Sequence, residues 1–230
     1  MSLPQESTAP PVTGWRAWLR AILVYRNPRM AAALALGFSC GLPFILLSQT
    51  MTAWLRQAGI ERTAIGMLTW VTLVYAIKFL WAPVVDRLQL PVLFRLLGRR
   101  RSWMLLAQAG IVLGMINLSQ LSPSVSLAAV GWGALMLAIA AATQDIAVDA
   151  WRVEVAPPDE QGAMAAAYQL GYRTAIIAGT AGAFWVAAEH DWHISLTSMA
   201  AMSGIGILAT LLTREPVVTA ARESLDQEQR

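Results

Sequence analysis

Charge is scarce in this chain: Lys, Arg, Asp and Glu supply 13% of its 230 residues, against roughly 25% in soluble domains. Cysteine occurs once, as Cys40, which excludes an intrachain disulfide. Nothing near Cys40 in sequence would stabilise a thiolate, so it reads as a small apolar residue. The two histidines, His190 and His193, flank Asp191 and Trp192 without further ligands, a poor basis for a metal site. No phosphate loop, catalytic triad or zinc motif is present. No cofactor or metal is expected, and an enzyme is the least supported class. The first 29 residues are polar, Pro-rich and basic, with no apolar core of a signal peptide.

What the chain has instead is long apolar runs, at 30–55, 63–85, 102–121, 127–144, 163–188 and 194–213. At 1.5 Å per residue, a helix needs roughly 20 residues to cross a bilayer core. A soluble helix would carry a charged face opposite its apolar stripe, and most of these runs are apolar all round. The expected fold is all-α, a membrane protein of six transmembrane helices.

The basic residues orient it. Arg16, Arg20, Arg26 and Arg29 precede the first run, and Arg87, Arg95, Arg99, Arg100 and Arg101 separate the second from the third. Arg152 follows the fourth run, and Arg214, Arg222 and Arg230 follow the sixth. Only Arg56 and Arg62 fall on the other side. By the positive-inside rule both termini are cytoplasmic. The net charge of +3 is thus topological and calls for no nucleic-acid partner; the surrounding partner is lipid.

Three units are expected. Residues 1–29 form a cytoplasmic segment in which Trp15, Trp18, Leu19 and Ile22 recur at helical spacing beside Arg16 and Arg20, as in an interfacial helix. Residues 30–213 form the six-span bundle, and 214–230 a cytoplasmic tail or the start of a linker. Outer loops are short, whereas 86–101 mixes charge with leucines as a short amphipathic helix would. Pro43 and Pro83 predict kinks or helix ends. Ala178 with Gly182, and Gly179 with Ala183, predict close helix contact. Trp54, Trp103, Trp151, Trp185 and Trp192 fall near span ends, where an aromatic belt would place them.

Polar side chains within spans mark the candidate site, because a bilayer core rejects them. Lys78 costs its span about 2.5–3.5 kcal/mol, which the neighbouring apolar residues barely cancel; it should face the bundle or a wet cavity. Arg173 lies about 15 Å beyond Ala163, near the midplane, with Gln169 and Thr180 on its face and Tyr172 adjacent. Lys78 and Arg173 suit an anionic substrate, with Gln169, Tyr172 and Gln49 as further cavity residues. Asp145, Asp149 and Arg152 occupy i, i+4 and i+7 of one helix face, flanked by Gln144. Their depth suits a cytoplasmic gate or a proton-linked carboxylate. The competing reading is snorkelling to the cytoplasmic headgroups for Lys78, and a structural ion pair for Arg173, Asp145 and Asp149.

Four segments carry a resemblance: KFLWAPVVDR at 78–87, GRRRSW at 98–103, ATQDIAVDAW at 142–151 and YQLGYR at 168–173. Together they resemble the AmpG-type muropeptide permeases of the major facilitator superfamily and, more distantly, the acetyl-coenzyme A transporters. Asp86, Arg87, Arg99, Arg100 and Arg101 are similar to the superfamily's signature between helices two and three. Here Pro83 stands where glycine is usual, and the basic run is displaced by about ten residues. The resemblance implies one six-helix half of a bundle with substrate between two halves. It further implies proton-driven import, across the bacterial inner membrane, of glycopeptides released in wall recycling, with influence on β-lactamase induction. The other half would be a second six-helix unit or another copy of the chain. A non-transporting membrane module or remnant, and an acetyl-coenzyme A-type transporter half, are the alternatives.

Overall fold

The computed structural model describes residues 27–91 and 93–216, and all regular structure among them is helical. The interfacial helix expected around Trp15–Ile22 and the tail beyond Pro216 lie outside the described residues. The helices are α1 (Pro28–Gln57), α2 (Arg62–Leu80), α3 (Ala82–Arg87), α4 (Leu93–Leu97), α5 (Arg99–Gln120), α6 (Leu127–Val155), α7 (161–189) and α8 (Trp192–Leu212).

Five of them, α1, α2, α5, α6 and α8, are long and apolar enough to cross a membrane. The fifth predicted run, α7, is a continuous helical stretch of sufficient length. Tyr168, Gln169, Tyr172, Arg173 and its glycines lower its apolarity, and it is not among the five. Two boundaries differ from the sequence reading. The second span stops at Leu80; Trp81 breaks the helix, and Pro83 occupies the first turn of α3, where proline's missing N–H is no loss. The fourth span does not stop at Gln144. It runs on through Asp145, Asp149 and Arg152 to Val155, because these residues satisfy helix geometry until Pro157 and Pro158 forbid it.

The tightest contact is between α1 and α7, and small residues set it. A Cβ on Gly171 would fall 1.9 Å from the Leu34 carbonyl oxygen, and one on Gly37 would fall 2.1 Å from that of Tyr168. Gly41 faces Ala175 in the same seam. Without a water-driven hydrophobic effect between spans, such backbone-to-backbone approach supplies the packing. Above the seam both helices loosen by one residue into π-turns, Leu46–Thr50 in α1 and Ala178–Gly182 in α7. Thr50 Oγ1 donates to the Gly179 carbonyl at 2.7 Å and ties the two turns together. Pro43, just before the α1 turn, lacks an N–H to give, which is the local cause of the irregularity.

α5 packs against α6 and α8, and α8 also packs against α1. α2 rests on the end of α1 over its first half and on α6 beyond it, and is the least covered span. Met67, Trp70, Leu73, Phe79 and Leu80 point outward from it. Such an apolar exterior on a helical chain is what lipid as solvent requires.

Candidate functional site

Lys78 leaves α2 in its last, tightened turn, Lys78–Leu80, and its ammonium reaches α6. Nζ lies 3.3 Å from Asp145 Oδ2 and 3.9 Å from Asp149 Oδ2. Asp149 Oδ1 in turn takes an Arg152 Nη2 hydrogen bond at 3.3 Å, and the Arg152 guanidinium sits 5.0 Å over the Tyr168 ring of α7, a cation–π distance. The i, i+4, i+7 spacing on α6 puts these groups on one face, as the sequence predicted. Tertiary packing adds the lysine and the ring.

Immediately before Asp145, Gln144 is fully buried and donates to Ser39 Oγ at 2.9 Å, with Cys40 Sγ at 3.4 Å. Its Oε1, together with Asp145 Oδ1 and the Tyr75 hydroxyl, is buried with no hydrogen-bond partner among the described residues. Arg152 Nε is orphaned in the same way, and four such atoms around one cluster are expensive. An aromatic series spans the same region. Phe44 meets Tyr75 edge-on at 5.5 Å and Tyr172 at 6.1 Å, and Tyr172 meets Tyr168 at 6.2 Å. α1, α2, α6 and α7 thus converge on a polar centre lined by tyrosines.

The other predicted residues divide. Tyr172 belongs to the aromatic series. Arg173 and Gln169 lie on an exposed face of α7 and Gln49 is exposed on α1; no hydrogen bond or ion pair joins them to the Lys78 cluster among the described residues. Tyr75 and Phe44 were not among the expected site residues, and Tyr168 entered only as the first residue of the YQLGYR segment. Tyr75 carried a usable signal, since it precedes Lys78 by three residues on a helix.

A second cluster forms where α3, α5, α6 and α8 end. Arg100 is buried at 7% side-chain exposure between two carboxylates: Nη1 binds Asp86 Oδ1, and Nη2 binds Glu154 Oε1 at 2.6 Å. Its backbone N–H and that of Arg101 donate to Glu215 at 2.8 and 3.2 Å, capping α5 where Gly98 offers no side chain. Arg101 returns the favour, donating to the Thr210 and Leu211 carbonyls at the end of α8. Burial pushes the Glu215 carboxyl above the usual range, and the two N–H bonds pull it partly back. Of the expected loop residues, Asp86, Arg100 and Arg101 take part. Arg87 is exposed and Arg99 half-buried. Glu154 and Glu215 were not foreseen.

Long apolar helices with ionic side chains gathered against one another define a multi-pass membrane protein. Residues 30–184 match the family described as Acetyl-coenzyme A transporter 1, and the chain belongs to that family. It is 37% identical over 197 residues to the anhydromuropeptide permease of Escherichia coli (strain K12), covering 85% of this chain and 39% of that protein. An uncharacterized protein of Haemophilus influenzae is 37% identical over 183 residues, 79% of this chain and 42% of that one. A putative transporter, AmpG 4, of Rickettsia felis is 28% identical over 194 residues, 84% and 47% of the two chains. The chain therefore spans less than half the length of these curated relatives.

Proposed function

We propose that these residues form one six-helix half of a proton-coupled importer of anhydromuropeptides. It lies in the bacterial inner membrane, with α7 as the remaining span and both termini in the cytoplasm. The observation that carries the reading is Lys78 held between two carboxylates, one of which keeps a buried, unpartnered oxygen. While Asp145 is charged, it occupies the ammonium. A proton delivered to Asp145 frees Lys78 for a carboxylate of an arriving peptide, and loss of the proton re-forms the pair and expels it. This change of partner supplies the coupling within an alternating-access cycle, while Asp149 and Arg152 continue to compensate one another at the gate.

Arg173, with Gln169, Tyr172 and Gln49, faces the second half of the bundle and contributes the further cation and hydrogen bonds for a glycopeptide. Asp86, Arg100 and Arg101 hold the cytoplasmic ends together between cycles, with Arg87 and Arg99 beside them. The second half is a further six-helix unit or another copy of this chain.

Uptake of labelled anhydromuropeptide by cells carrying this chain together with a second six-helix half tests this. Arg173→Gln abolishes uptake at unchanged membrane abundance, and Asp145→Asn retains exchange but loses accumulation against a gradient. Undiminished uptake by Arg173→Gln would remove that residue from the site. The family's description favours one alternative, a half of an acetyl-coenzyme A-type transporter; inhibition of uptake by acetyl-coenzyme A, and not by anhydromuropeptide, would select it. Failure of the 230-residue chain to complement a recycling-defective strain, where its combination with a second six-helix half succeeds, would mark this half as inactive by itself.

A further inference from the structure

A groove of about 1190 Å³ opens between the start of α1 and the ends of α6 and α8, away from the Lys78 cluster. Its walls are apolar, formed by Ala32 and Ala35 of α1 and by Ile205, Leu208 and Leu212 of α8. Its mouth is ionic, with Arg29 on one side and Arg214 on the other. Both arginines are exposed, and neither has an ion-pair partner among the described residues.

The two acids at the mouth are occupied differently. Glu154 is held by Arg100, and Glu215 by the N-terminus of α5. The two carboxylates are thus turned to partners outside the groove, and Arg29 and Arg214 stand at the mouth of an apolar slot with guanidinium donors that no ion pair among the described residues occupies. Their depths agree: α8 ends at Leu212, and Arg214 follows within two residues, while Arg29 sits in the first turn of α1. Each arginine thus stands where its span leaves the hydrocarbon. The position of Arg214 is fixed, because Trp151 Nε1 donates to its carbonyl at 3.3 Å.

We propose that this groove is a binding site for one anionic phospholipid, with the phosphate between Arg29 and Arg214 and an acyl chain along Ala35, Ile205 and Leu208. Each part of the lipid meets its chemical complement. The phosphate takes guanidinium donors in their forked geometry, and the acyl chain covers α8 residues that otherwise face outward. A basic pocket between spans is the general form of such sites. The inference is independent of what is transported and of which way the chain faces.

The test is native mass spectrometry of the full chain extracted from nanodiscs of equal phosphatidylglycerol and phosphatidylethanolamine content. The wild type retains phosphatidylglycerol preferentially. The double variant Arg29→Gln/Arg214→Gln loses about thirtyfold in that retention, from about 1 kcal/mol per arginine near a lipid surface. Arg56→Gln at the opposite end retains it unchanged. Should the double variant lose helical content by circular dichroism, Ala35→Phe, which fills the slot and keeps both cations, serves in its place and also loses retention. Equal retention of the two lipids by the wild type, or undiminished retention by both variants, would overturn the site. So would retention that rises when residues 1–26 are removed, since the chain's own segment would then be the occupant.

Discussion

At the scale of single residues, the two ionic clusters differ in what they tolerate. Lys78 is about a third exposed and Asp145 less so. Removing one partner strands the other, a loss of about 1–3 kcal/mol here, below the 3–5 kcal/mol of a fully buried pair because part of the site is accessible. Lys78→Ala therefore lowers stability in detergent unfolding, and adding Asp145→Asn restores part of it. A double variant no more stable than Lys78→Ala would deny the pairing. Glu215 gives a pH signature of its own. Its carboxyl is raised in the folded chain, so just above the ordinary glutamate range the folded state holds more protons than the unfolded one. Stability therefore falls as pH rises through that window. Glu215→Gln flattens that part of a plot of melting temperature against pH.

At the scale of elements, the α1–α7 seam is the most closely packed contact in the molecule, and the paired π-turns lie at its end. Gly171→Ala places a methyl group against the Leu34 carbonyl. Backbone cannot step aside as a side chain would, so the cost is about 3 kcal/mol, at the upper end of overpacking. Gly204 in α8 has nothing within 4 Å of its would-be Cβ, and Gly204→Ala stabilises by up to about 1 kcal/mol through helix propensity. Thermal unfolding of the two variants in one detergent compares them directly; equal behaviour would mean that the seam is not close-packed. Of the small pairs at 178–183, Gly179 and Ala183 are contact residues as the sequence indicated, whereas Gly182 has open space beside it. The conversion of this stretch into a π-turn was not legible, since it depends on Thr50 arriving from a helix 129 positions away.

At the scale of the whole molecule, the outward apolar surface and the uneven covering of the spans dominate. α2 is barely covered, yet it carries Lys78, so its insertion is marginal. Leu73 lies outward at 54% exposure, and Leu73→Arg adds about 2.5–3.5 kcal/mol to the cost of the span. A glycosylation-site insertion reporter fused after α2 should show that span failing to insert. The same substitution at the buried Leu137 of α6 disrupts packing but is carried by a longer apolar span. Insertion of Leu73→Arg at wild-type efficiency would mean that this face of α2 is not lipid-facing.

The sequence by itself determined the class, five of the span positions, and the i, i+4, i+7 face of Asp145, Asp149 and Arg152. Each of these follows from local chemistry: the cost of polar groups in hydrocarbon and the pitch of a helix. It also placed Asp86 and the arginine run in one cluster, through a motif whose residues are close in the chain. Only the tertiary structure decided which charges meet. Lys78 finds Asp145 across 67 positions, and Arg100 selects Glu154 while Arg101 turns to the end of α8. Nor could the pattern tell that Gln49, Gln169 and Arg173 stay apart from those clusters, because periodicity gives the face of a helix and not the neighbour it meets. That pairing is set by how closely glycines let α1 and α7 approach, a property of two surfaces together and of neither one alone.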